Sequence, residues 1–170
     1  GMDPKKAGTL AGAVMMLALI GAPMGGYITD RWRKKEPRAR MLFPAITTFI
    51  SAVLLFLAFF LFSGTLQIIT LFVFGIFIML FISGAAAVTQ DVIHPGLRAT
   101  SYAIAVMVQN LLGSFTAPIV LGRISDLTNI KTAMSILPFS LLLGALLFLI
   151  GSRYYNSDIG KVSAVKLEVE

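Results

Sequence analysis

Hydrophobic positions along this chain come in long blocks rather than in alternation. Stretches of about 20 residues without Asp, Glu, Lys or Arg are separated by short polar connectors, the pattern of helices that cross a ~30 Å hydrocarbon layer. Five spans are expected, near residues 8–29, 41–62, 66–89, 100–122 and 132–151. In lipid only helices and closed barrels satisfy the backbone, and these runs lack the period-two alternation of a barrel strand. The expected fold class is all-α, a polytopic transmembrane helical bundle over residues 1–151. A polar tail, 152–170, follows it.

Composition agrees. The chain is 57% hydrophobic and 13% charged, with a mean hydropathy of +0.88, above the roughly 45–50% apolar usage of soluble domains. A net charge of +6 raises the question of nucleic acid, and its distribution answers it. Arg31, Arg33, Lys34, Lys35, Arg38 and Arg40 lie in the first connector, Arg98 in the third, and Arg153, Lys161 and Lys166 in the tail. Lys5, Lys6, Arg123 and Lys131 fall on the other side, so alternate loops divide ten to four. The positive-inside rule then puts the N-terminus outside and the tail in the cytoplasm, in the plasma (cytoplasmic) membrane. Membrane orientation accounts for the basicity without nucleic acid. The absence of cysteine excludes disulfides, thiol catalysis and thiolate metal sites. Asp3 before the first span, and charges after it, exclude a signal peptide.

The spans differ in character. "TTFISAVLLFLAFFLF" and "PFSLLLGALLFLI" in the second and fifth are bulky throughout, as a lipid-facing outer wall should be. The first, third and fourth carry small or polar residues at helical spacing, among them Gly21 and Gly25, Ser83 and Gly84, and Gln109, Asn110 and Gly113. Small residues let backbones approach, and polar ones in hydrocarbon seek partners or water. These three are expected to form an inner set. "GYITD" at Gly26–Asp30 and "GRISD" at Gly122–Asp126 end the first and fourth spans on opposite sides, the mark of an inverted repeat.

No expected span contains an acid, a base or a histidine. An intramembrane enzyme is therefore excluded, and no cofactor or metal is implied. Gln109 and Asn110 lie about 100° apart near the middle of the fourth span. Each either contacts a solute in a cavity or hydrogen-bonds to a neighbouring helix. His94, in a connector broken by Pro95 and Gly96, reads as a solvated loop histidine. Met15, Met16 and Met24 read as packing, and Tyr154 and Tyr155 as an interfacial anchor.

The segment "GYITDRWRKK" resembles the cytoplasmic signature of the major facilitator superfamily, Gly-x-x-x-Asp-Arg-x-Gly-Arg/Lys-Arg/Lys. Gly26, Asp30, Arg31, Lys34 and Lys35 match it, and Arg33 stands where a glycine is usual. Leu97–Asp126 is similar to the eleventh-helix region of that superfamily, most of all in spinster-type members, with Gly113, Pro118 and Gly122 in packing positions. The resemblance implies a partial major-facilitator fold, the eighth to twelfth helices of a twelve-helix transporter whose N-terminal half is missing here. It implies a secondary active transporter that moves a small or amphipathic organic solute by alternating access. It also gives Asp30 a role as a gate residue that meets a helix N-terminus of the other half, where a carboxylate is stabilised by about 0.3–1 kcal/mol. Two alternatives stay open: Asp30 only pairs with Arg31 or Lys34, and the chain is a stand-alone five-helix membrane protein with a structural or assembly role.

Overall fold

The computed structural model describes residues 8, 9, 12, 13 and 16–164. Asp3, Lys5, Lys6, Met15 and Lys166 lie outside them, as does part of the first expected span. The described residues form helices and no strand: α1 (Ala18–Arg33), α2 (Ala39–Phe56), α3 (Gly64–Asp91), α4 (Arg98–Gln109), α5 (Thr116–Leu127), α6 (Ile130–Met134) and α7 (Leu137–Ala164). A π-helical turn, Leu57–Leu61, extends α2, and another, Asn110–Phe115, joins α4 to α5 in one rod. Four helical runs are long and apolar enough to cross a membrane: Ala39–Leu61, Gly64–Asp91, Pro95–Leu127 and Ile130–Val162. The fifth helix, α1, is the described latter part of the first expected span. At the other end of the chain, α7 passes residue 151 without a break, so the tail expected from 152 begins as helix.

Reversals are built from residues suited to them. Pro37 lies in the connector between α1 and α2, where a proline removes a helical N–H. Gly64 has φ +62° at the turn from α2 into α3, a conformation that costs other residues a Cβ clash. The π turn at the end of α2 frees the Ala58 carbonyl, and Gln67 Nε2 donates to it at 2.9 Å. Asn129 caps α6, its Oδ1 accepting from the Thr132 N–H at 2.8 Å. Lys131 and Ile130 share a cavity with Phe59 and Phe62 at this end of the bundle. The end of α1 lies at the opposite end, beside Arg40 and Asp91, so the two Gly-x-Ile-x-Asp segments sit at opposite ends of the bundle.

The centre of the bundle is α2, and this corrects the expectation that the second span is outer wall. Ala45, Thr48, Ser51, Ala52 and Leu55 are buried against α3 and α7, while Ile46, Phe49, Val53 and Phe56 point outward. The helix is bulky on one face only. Thr47 and Ser51 donate to the carbonyls of Phe43 (3.0 Å) and Thr47 (2.8 Å), which satisfies their hydroxyls within the helix and keeps the contact face smooth. The fifth expected span keeps its outer character, with Leu143, Leu146, Leu147 and Ile150 exposed.

Glycines set the helix separations. Gly21, Gly25 and Thr29 form a buried i, i+4, i+8 stripe on α1. A Cβ on Gly25 would lie 2.5 Å from the Leu80 carbonyl oxygen and 2.6 Å from Ser83 Oγ of α3. A Cβ on Gly84 would lie 2.7 Å from Pro44 Cγ of α2. Close approach of this kind replaces the hydrophobic drive that lipid removes. Along α4 and α5 no residue is buried, and a Cβ on Gly113 or Gly122 would meet nothing within 4 Å. The packing expected at Gly113, Pro118 and Gly122 is thus not made among the described residues. Gly25→Ala should lower stability in detergent by about 1–3 kcal/mol, since Leu80 backbone must shift. Gly122→Ala in the same assay should stay within about 0.5 kcal/mol of wild type; equal losses at both sites would contradict this packing.

Candidate functional site

At the basic end of the bundle, four helices meet through charge. Arg40, in the first turn of α2, is nearly buried, with 14% of its side chain exposed. Its Nη2 donates to Asp30 Oδ1 of α1 at 2.9 Å, and its Nη1 lies 2.8 Å from Asp91 Oδ2 of α3. Tyr155 of α7 donates its hydroxyl to the same Oδ2 at 2.6 Å. Arg33 Nη2 stands 3.6 Å from Asp91 Oδ1.

Each of these charges opposes its local helix dipole. Asp91 ends α3 and Asp30 lies in the last turn of α1, where carbonyls repel an anion; Arg40 lies in the first turn of α2, where N–H groups repel a cation. Alone, each would be unfavourable by about 0.3–1 kcal/mol. Arg40 placed between Asp30 and Asp91 reverses the sign of all three contacts. Asp91 is the better held: only 11% of its side chain is exposed, against 64% for Asp30.

The signature residues thus take different places. Gly26 is half-buried beside Ser83, whereas Asp30, Arg31, Lys34 and Lys35 are exposed. Asp30 pairs with Arg40, not with Arg31 or Lys34, among the described residues. Asp91 was not singled out from the sequence, although an acid ending an apolar span on the basic side needs a partner and so carried a signal. Tyr155 is 2% exposed and hydrogen-bonded, so it is an internal tether rather than the expected interfacial anchor; Tyr154 next to it is exposed.

Midway along the bundle, Gln109 lines a cavity of about 360 Å³ with Thr89, Tyr102 and Val106, closed by Phe81 of α3 and Phe148 of α7. Those two rings meet edge to face, centroids 5.4 Å apart. Asn110 instead donates Nδ2 to the Val106 carbonyl of its own helix at 2.9 Å. The two neighbours therefore differ in surroundings: Gln109 lines the cavity, and Asn110 is bonded within its own helix where the π turn begins. There Thr116 Oγ1 donates to the Leu111 carbonyl at 2.7 Å, so the widened turn keeps its polar groups paired.

Comparison with known proteins follows the same lines. The family described as Major Facilitator Superfamily matches residues 1–118. Protein spinster homolog 1 of Xenopus laevis is 28% identical over 152 residues, covering 85% of this chain and 29% of the relative. Protein spinster homolog 3 of Mus musculus is 29% identical over 157 residues, with 82% and 30% covered. A protein named sphingosine-1-phosphate transporter SPNS2, from Xenopus tropicalis, is 29% identical over 173 residues, with 92% and 33% covered. The chain spans about a third of the length of these relatives.

The unequal burial of the two acids gives a ranked prediction for unfolding in detergent. Asp91→Asn leaves Arg40 nearly buried and half-paired, and should cost about 3 kcal/mol. Tyr155→Phe should cost about 1 kcal/mol, a single hydrogen bond, and Asp30→Asn less than about 1 kcal/mol, because its pair is mostly in water. An Asp30 effect as large as that of Asp91 would contradict this order.

Proposed function

The chain belongs to the Major Facilitator Superfamily, and from that premise we propose that it forms part of a secondary transporter moving an amphipathic organic solute by alternating access. The observation that carries this reading is the α4–α5 rod. It is apolar enough to span a membrane, has Gln109 and Asn110 at mid-depth, and packs mainly on α3 through α4 and on the short α6 through α5, burying none of its own residues. Leu111, Leu112, Phe115 and Ile119 are left uncovered. A second set of helices laid against this rod would enclose a cavity with Gln109 in its wall, the midplane position where such carriers hold their solute.

Asp30 supports the gating part of the reading. Its carboxylate accepts from Arg40 yet keeps 64% of its side chain exposed, leaving an oxygen free to meet a helix N-terminus of the other half. In this scheme the basic end is cytoplasmic, and the gate closes when Asp30 finds that partner. It opens when Asp30 falls back on Arg40 alone. Arg31, Lys34 and Lys35 are free to hold the loop on the cytoplasmic side. The solute class follows from likeness to a protein whose name is sphingosine-1-phosphate transporter, together with a cavity lined by rings and aliphatic groups around one amide.

Uptake into liposomes tests the proposal. The 170-residue chain reconstituted alone should show no solute uptake above empty liposomes, and co-reconstitution with the complementary first seven helices should restore it. In the reassembled transporter, Asp30→Asn should insert normally and slow exchange at least several-fold, because the attraction to the partner dipole is lost while the shape is kept. Saturable uptake by the chain alone, or wild-type exchange in the Asp30 variant, would refute the corresponding part.

A further inference from the structure

Another cavity opens at the basic end, beside Asp91 and with Arg40 outside its lining. It measures about 350 Å³, and Arg33, Asp91, His94, Arg98, Ile159 and Val162 line it. Its one acid is already engaged: Asp91 binds Arg40 at 2.8 Å and accepts from Tyr155 at 2.6 Å. Arg33 Nη2 forms a long ion pair with Asp91 Oδ1 at 3.6 Å, beyond hydrogen-bonding distance, which leaves its remaining N–H groups to face the cavity it lines. Arg98, exposed at the start of α4, forms no ion pair among the described residues. His94 Nδ1 accepts from the Gly96 N–H at 3.3 Å, which in a neutral ring leaves Nε2 as the donor. Donors from three different elements therefore line a space whose one carboxylate has its Oδ2 bound by Arg40 and Tyr155 and its Oδ1 facing Arg33.

We propose that this cavity binds a phosphate group, borne by an anionic phospholipid or by a soluble phosphate compound. Two guanidinium forks and an imidazole N–H suit the several oxygens of one phosphate, since such charge-assisted bonds are short and geometrically selective. The volume is about ten times the ~30 Å³ that one water occupies, so an esterified phosphate fits with its substituent. Ile159 and Val162 of α7 supply an apolar wall for that substituent. The place also suits the ligand. Lys34, Lys35 and Arg38 crowd the same end, and polybasic segments beside a membrane concentrate anionic headgroups. Arg33 itself occupies the signature position where a glycine is usual, so this chain puts a guanidinium where the common pattern has no side chain at all.

Lipid retention in mixed micelles tests the site, read by native mass spectrometry on the purified protein. Wild type should retain phosphatidylglycerol about 10-fold better than phosphatidylcholine. Arg98→Gln and Arg33→Gln should abolish that preference, and Lys35→Gln, an equal charge loss outside the cavity, should keep it. Arg98 contributes no ion pair to the fold, so its variant decides the matter even if Arg33→Gln unfolds. In a second arm, millimolar inorganic phosphate is compared with chloride at equal ionic strength in phosphatidylcholine micelles. Thermal protection of wild type by phosphate, lost in Arg98→Gln, assigns a soluble source; a phosphatidylglycerol preference without it assigns the lipid. Absence of both effects in wild type, or equal loss in Lys35→Gln and Arg98→Gln, overturns the proposal. Binding is read without a transport step, so failure here leaves the transporter reading untouched.

Discussion

Arg40 is the constraint on which the rest of this structure turns. Charges are expensive at the edge of a hydrocarbon layer and seldom idle there, and this one stands at a helix N-terminus that repels it. Its two partners, Asp30 and Asp91, stand at helix C-termini that repel them in turn. No member of the set is well placed by itself. Together they join α1, α2 and α3, and Tyr155 ties α7 to the same carboxylate. An arrangement in which each charge depends on the others can hold one state firmly. The same arrangement couples four helices at one point, so a displacement of any of them is felt by the others.

That junction requires backbones close enough for short contacts, and the glycines provide it. Gly25 against Leu80 and Gly84 against Pro44 bring α1, α3 and α2 to separations that a single methyl group would disturb. With those helices fixed, the end of α1 brings Asp30 to Arg40 and the start of α2 brings Arg40 to Asp91. The α4–α5 rod takes no part in this packing and buries no residue. The chain therefore divides into a tightly joined block and a helix whose surface is left for something else. In a bilayer, lipid covers one side of that surface, and the small and polar residues on it are poor companions for lipid.

Much of the fold was legible in the sequence because water and hydrocarbon sort residues strongly. The charge-free blocks lie on described helices at the second, third and fourth expected spans, whereas the helix of the fifth, α7, runs on beyond residue 151. The second span was misplaced as outer wall because lipid and protein interior accept the same apolar residues. Its real signal was the small stripe of Ala45, Thr48 and Ala52 among the large side chains. For the charged cluster, the sequence singled out Asp30 through its signature but neither its pairing with Arg40, ten positions on, nor that of Arg40 with Asp91, which stand 51 positions apart with nothing local to announce that they meet. Tyr155 was misread for a like reason, since an interfacial tyrosine and a buried tether look the same until the opposite acid is in place. Gln109 and Asn110 are adjacent in the sequence, and only the structure shows one lining a cavity and the other bonded within its own helix.

The most direct test of this account is the coupling between Arg40 and Asp91, measured by a double-mutant cycle on unfolding free energy. The single variants Arg40→Gln and Asp91→Asn and their combination are compared with wild type in the same detergent. If Arg40 is the junction described here, the coupling should be at least about 1.5 kcal/mol, as for close charge pairs shielded from water. Additivity of the two single effects to within about 0.5 kcal/mol would mean that the residues act independently, and would contradict it.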